Sequence, residues 1–190
     1  MADPADIQRL VGDLARIGVV QSVDQTNATA RVAIGDLLTG DIPWVAARVG
    51  ATRVWSPPSV GEQVLVLCPE GDTAAGLIVG SLSSDANPHA GSDSSSVIVF
   101  ADGASIDYDP EAHALAVMLP TGGTARVAAP GGIVFECDVE IKGGLTIDGQ
   151  VYATDSIHSD GDVTANTVSL QHHVHDKVQA GTAISGKPIA

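Results

Sequence analysis

A chain of 190 residues with 9 Lys and Arg against 23 Asp and Glu carries a formal charge of −14, which repels phosphate backbones and anionic headgroups. It is 44% hydrophobic but only 3% aromatic, with 21 glycines, so any interior is narrow and filled by Ala and β-branched side chains rather than by rings. Disorder is excluded by that hydrophobicity, and nucleic acid is disfavoured as a partner, because Arg9, Arg16, Arg31, Arg48, Arg53 and Arg126 are scattered and form no basic stripe. Cys68 and Cys137 each sit in an alternating apolar run, which predicts two buried free thiols rather than a disulfide framework. The opening "MADPADIQRLVGDLARIG" has no basic leader and no continuous apolar stretch, so no signal peptide is expected, and synthesis is expected in the cytoplasm. No window approaches the length of a membrane span.

Ile7, Leu10, Val11 and Leu14 make the i, i+3, i+4, i+7 stripe of an amphipathic helix, with Asp3 as N-cap and Pro4 at the first helical position. From Gly18 the period changes to two. "GVVQSVD" and "ATARVAIG" alternate around the turn "QTN", and "DIPWVAARV", "GEQVLVLCP" and "GLIVGSL" follow between Gly, Pro and Asp. Five short strands punctuated in this way predict a small Greek-key barrel such as an OB-fold. Its oligonucleotide-binding use wants stacking aromatics among cations, and only Trp44 and Trp55 are on offer.

"SSDANPHAGSDSSSV" reads as a linker or exposed loop, with His89 solvated inside it. "VIVFADGASIDYDPEAHALAVMLPTGG" then reads as hairpin-like strands around "ADG" and "DPEA", with His113 on a strand surface.

The most informative segment begins at Val127. Large aliphatics recur every six residues at Val127, Ile133, Val139, Leu145, Val151, Ile157 and Val163. Two positions after each comes a second apolar or small residue: Ala129, Phe135, Ile141, Ile147, Ala153, Ser159 and Ala165. Gly131, Gly143, Gly149, Asp155 and Gly161 bend the chain between steps. Such a repeat predicts a β-solenoid or β-helix. A single chain with steps this short cannot cover its own strands, so it either coils on itself as a left-handed helix or winds with two copies into a triangular prism. The segment allows only a little over two self-coiled turns, which favours the trimer. The second position loses bulk from Phe135 to Ala165, so the prism narrows into a needle, and Cys137 shares the inward parity.

Near the end, "QHHVHDKVQAGTAISGKPIA" holds His172, His173 and His175. In an extended segment His173 and His175 point together, away from His172. On a threefold axis they become six imidazoles, enough to close an octahedral nitrogen shell. Imidazole suits Fe, Ni, Cu and Zn; zinc usually takes four ligands, so six-coordination points to one iron ion per trimer. A closed shell has no room for substrate, which makes the ion structural. His158 lies off the inward register and reads as a surface residue.

The early "GVV", "GEQVLVLCPEGD", "GLIVGSL", the Ser-rich linker and the closing "HVHDKVQAGTAISGKP" together resemble the baseplate assembly protein V family, the central tail spikes of contractile-tailed phages and tailocins. The resemblance covers essentially the whole chain; it departs at Asp176 and Lys177, where the family pattern has Pro-Gly. It implies an all-β homotrimer: a helix over 1–17, an OB-fold collar over 18–82, a linker over 83–96, an intertwined triple-stranded β-helix over 97–170 and a metal-bearing apex over 171–190. His173 and His175 would be its iron ligands, and a tail hub or baseplate protein would hold the N-terminal domain. Its work would be to pierce a target cell's outer membrane from the tail baseplate of a virion or tailocin, in transient contact with that membrane and without catalysis. Two other readings remain. A hexapeptide-repeat acyltransferase fits the sixfold period but not the barrel or the terminal histidines, and an oligonucleotide-binding OB protein meets the adverse charge.

Overall fold

The alternation that begins the first sheet starts at Ala15, three residues before the period-two pattern is plain in the sequence. In the computed structural model, which describes residues 11–176 and 181, strand β1 (Ala15–Asp24) pairs antiparallel with β2 (Thr29–Ile34) on one side and with β5 (Gln63–Leu67) on the other. β3 (Leu37–Leu38) folds back on the end of β2, β4 (Ile42–Pro43) pairs with its start, and β6 (Leu77–Leu82) lies along β5. The next residue after β4, Trp44, bridges in parallel to Ile78 of β6, and the Val45 N–H donates to the Ile78 carbonyl at 2.8 Å. The circuit β4–β2–β1–β5–β6 therefore returns to its start, and closure leaves few unpaired strand edges. Register shifts at Val20/Ser22 in β1 and, opposite Leu65/Val66 of β5, between Ile78 and Gly80 in β6 mark bulges, which bend strands enough for so small a barrel to close.

Period two decides what is inside. Ala30, Val32 and Ile34 on β2, Val64 and Val66 on β5, and Cys68 just beyond are buried, with Val20, Ile42 and Ile78 completing the core. Burial also pushes the Cys68 thiol pKa up, which keeps it protonated. Thr39 is buried and satisfied: its hydroxyl accepts from the Val32 N–H at 2.9 Å and donates to the Gly40 carbonyl at 2.8 Å. The β1–β2 turn spans residues 25–28, where the sequence places it, and Asp24 fastens it by accepting from the N–H groups of Thr26 and Asn27 and from the Asn27 amide.

Gly18 is fixed by space rather than by backbone angle. A Cβ there would lie 2.7 Å from the Ala33 carbonyl oxygen and press on the Val32 and Ile34 side chains. Backbone cannot rotate away, so Gly18→Ala is expected to cost the barrel roughly 1–3 kcal/mol. An unchanged midpoint in denaturant titration would contradict this close approach.

Three local expectations are corrected. Residues 11–13 are helical, but β1 follows at Ala15, so the stripe does not continue as helix through Arg16; the part of the predicted helix before Val11 lies outside the described residues. "DIPWVAARV" is not one strand: after Pro43 only the Trp44 bridge belongs to the sheet, because the barrel is already closed there, and Val45 and Val49 are exposed. His113 occupies the tight turn after β8 at φ 53°, not a strand face.

The chain divides into two compact units, Met1–Val127 and Ala128–Ala190. The linker over 83–96 falls within the first and is tied down: Asn87 Nδ2 donates to the Gly61 carbonyl at 3.1 Å, and the Ser94 hydroxyl to Glu111 at 3.1 Å. Beyond it β7 (Ser96–Val99), β8 (Ser105–Asp109) and β9 (Ala114–Met118) form an antiparallel meander, turning at "ADG" and "DPEA" as read from the sequence, with His113 added to the second turn. Asp102 and Asp109 cap those turns by accepting backbone N–H groups.

The second unit is of another kind. From residue 133 to 162 no N–H or C=O makes a backbone–backbone hydrogen bond to any described residue. Its aliphatics are uncovered in the single chain, and Cys137, expected to be buried, is exposed there, because nothing within one chain lies over that face. Regular pairing resumes in a short hairpin, β10 (Thr164–Ala165) with β11 (Val168–Ser169).

Candidate metal centre

The β10–β11 hairpin turns through Asn166 and Thr167. Asn166 takes φ 53°, a left-handed conformation that asparagine tolerates better than most residues. The turn lets residues far apart in sequence meet: Leu170 N–H donates to the Val163 carbonyl at 2.8 Å, and Gln171 N–H donates to Asp162 Oδ1 at 3.1 Å. The Ser169 hydroxyl against Asp162, followed by the Gln171 and Val163 N–H groups, holds the Asp162 carboxyl below its usual pKa range. Ser169 Oγ also accepts from the His172 N–H at 2.7 Å, which bends the chain as it leaves β11.

That bend delivers the histidines. His173 N–H and His173 Nδ1 both meet the Ser169 carbonyl, at 3.1 and 2.8 Å, and Nδ1 lies 3.1 Å from the Leu170 carbonyl. The His173 ring adjoins Val163, Ala165, Val168 and Leu170 in an apolar concavity. His175 stands beside it, ring centroids 5.1 Å apart and planes at 80°, an edge-to-face contact. The two predicted ligands are thus brought together. His172 does not share their contact, and His158 pairs at the surface with Asp160 at 3.0 Å. Asp176 closes the described run; Lys177 and the closing Gly-x-Pro lie outside the described residues.

Two exposed imidazoles are a donor set for Fe, Ni, Cu or Zn. They are too few alone, and no group of three or more His, Cys, Asp or Glu poised for a metal occurs among the described residues. The residues fit a six-nitrogen ion only where three chains meet. Asp162 and Ser169, which fix the bend, were missed in the sequence reading; the available signal was Asn166, a turn former interrupting the sixfold step.

The barrel has one other notable surface. Trp44 and Trp55 pack with centroids 5.5 Å apart at 57°, beside Val49, Val54, Arg48 and Arg53.

Residues 16–82, running from the second residue of β1 to the last of β6, match the family described as the type VI secretion system/phage-baseplate injector OB domain. The barrel is similar to that injector OB domain. Similarity extends past it: the whole chain aligns with the spike protein of Escherichia phage P2, 28% identical over 217 positions that cover 100% of this chain and 99% of the relative. The barrel that resembles this domain therefore sits in a chain that aligns over its whole length with a spike protein. No helix among the described residues is long and apolar enough to cross a membrane.

Proposed function

We propose that this chain is the central spike of a contractile tail baseplate, a homotrimer whose injector OB domains form a collar on the tail hub and whose second unit is a triple-stranded needle. One observation carries the reading: among the described residues, 133–162 make no backbone–backbone hydrogen bond, and their aliphatics are exposed. Unpaired backbone is costly once buried, so these donors and acceptors need other strands. The aliphatic period says where those strands come from. Register members from Ile133 to Val163 are 48–76% exposed, while the off-register Val134 and Tyr152 reach 83% and 89%. The register face is the less exposed of the two, and two further copies would cover it with stacked aliphatic triads, each Å² withdrawn from water contributing roughly 25 cal/mol. A self-coiled acyltransferase solenoid would ladder each step onto a later step of the same chain, and 133–162 make no such bonds with one another.

In this assembly His173 and His175 of three chains would hold one iron ion. Bound there, the ion cross-links the chains at the narrow end, where the inward side chains are smallest and hydrophobic burial is least. Work at the tip is mechanical: a stiff, tapering rod concentrates the force of sheath contraction on a small area of the target's outer membrane, and no residue transfers a group. The place of action is the tail baseplate of a phage or phage-derived particle, consistent with the similarity to the P2 spike protein.

Sedimentation equilibrium joined to metal analysis tests this. The expected result is a mass of three chains with iron near one ion per trimer; a metal-free monomer would overturn it.

A further inference from the structure

We propose that Ser169 and Asp162 are positioning residues that hold the His173 imidazole in the tautomer protonated on Nδ1, leaving the Nε2 lone pair facing outward from the hairpin. That this serves a metal rests on the reading of His173 as a ligand; the tautomer itself does not. Carbonyl oxygens only accept, so a ring nitrogen 2.8 Å from the Ser169 carbonyl and 3.1 Å from that of Leu170 must carry the hydrogen. In a neutral ring the other nitrogen then bears the lone pair, the arrangement that a backbone carbonyl imposes on metal-binding histidines generally.

The carbonyls are aimed by the hairpin and not by His173. Ser169, the last residue of β11, pairs with Thr164, and its hydroxyl has one hydrogen and free lone pairs. A lone pair accepts the His172 N–H at 2.7 Å, which leaves the hydrogen for the Asp162 carboxylate, the group whose pKa this hydroxyl lowers. Asp162 Oδ1 also takes the Gln171 N–H, and Gln171 Nε2 reaches the Gly161 carbonyl at 3.3 Å. Residues 161–162 thus clamp 169–172, and the clamp sets where the Ser169 carbonyl points. All of these contacts lie within one chain, so the ring is oriented before any copies meet. His175 is placed by the neighbouring His173 ring.

The test is a long-range ¹H–¹⁵N correlation spectrum of the full-length protein, labelled at histidine and stripped of metal by chelation. It is recorded at about pH 8, well above the ordinary imidazole pKa of about 6.5. His173 is expected to show a protonated Nδ1 and a bare Nε2. Ser169→Ala and Asp162→Asn are expected to move it to a mixture, and Ser169→Thr, which keeps the hydroxyl, to restore it. Asp162→Asn keeps the side chain's size but replaces one of the two acceptor oxygens, and the charge, with an NH2 donor, so it weakens the clamp without opening space and reports on it even if the alanine variant misfolds. In protein reloaded with ferrous iron, both disrupting variants should release metal to a chelator at least about tenfold faster, the usual scale for losing an outer-shell partner. A wild-type His173 protonated on Nε2, or variants with an unmoved tautomer, would overturn the proposal. Nδ1 protonation in a protein that takes up no iron would uphold the clamp and remove the metal reading instead.

Discussion

Ile141→Asp is expected to abolish assembly, giving a sedimentation mass of one chain where the unaltered protein gives three. In the proposed prism Ile141 meets its two copies on the axis, so the substitution places three carboxylates together in an apolar interior. An ionised carboxylate removed from water without a partner costs several kcal/mol even after relaxation, and here the cost falls three times on one layer. Protonating the three would remove the charge, but at neutral pH that means raising each carboxyl well above its ordinary pKa, and polar groups would still replace an apolar layer. The effect should depend on parity. Val134 is also a large aliphatic, yet it is off the register and 83% exposed, so Val134→Asp should leave the trimer intact. Ile141→Leu, which keeps volume, should do the same. The barrel's core, built from Val20, Val32, Ile42, Val64 and Val66, shares no residue with this segment, so its strand signal in circular dichroism should survive in the Asp variant. A trimeric Ile141→Asp protein, or equal damage from Val134→Asp, would remove the inward face on which the needle depends.

How far the fold could be read from the sequence follows from the range of the interactions that make it. β1, β2, β5 and β6 were legible because alternation and turn residues are local, and Asp24 with Asn27 closes its turn within four positions. Closure through Trp44 onto Ile78 was not legible, since it joins residues 34 positions apart by one backbone bridge. Apolar alternation in "DIPWVAARV" misled for the same reason. Alternation states which faces a strand would have, not whether a neighbouring strand is available, and past Trp44 the barrel sheet offers none, only a local bridge of Val49 to Arg53. Cys137 shows the converse case: its parity was readable, but its cover is not supplied within a single chain.

At the tip, the H-x-H spacing was enough to place His173 and His175 together, because side chains two apart in extended chain share a face. The clamp behind them was hidden. Asp162 reaches Gln171 across nine positions only because the chain reverses at Asn166, and the sixfold period through Val163 and Ala165 argues for a chain that keeps going. Periodicity reported the side chains' direction and was silent on the backbone's.

Replacing His173 and His175 together by Ala is expected to remove all iron while leaving the trimer mass unchanged. The division follows from where each contribution lies. In the proposed prism the aliphatic triads from Ile133 to Ile157 would be untouched and assembly would persist, whereas the tip would lose its six nitrogens at once. An ion that binds only the assembled tip stabilises it by about 4 kcal/mol when present at a thousand times its dissociation constant, and the double variant forfeits that whole amount. Amide hydrogen exchange should therefore quicken at 161–176 and stay unchanged through 133–157, and chelation of the unaltered protein should reproduce the pattern. The single variants separate geometry from charge. With His175→Ala alone, three His173 imidazoles remain on the axis with open positions beside them, a set better suited to four-coordinate zinc than to six-coordinate iron. Metal should then be weaker, exchangeable and no longer selective. Iron retained at full occupancy by the double variant would place the ligands elsewhere and leave the paired rings without a role in the tip.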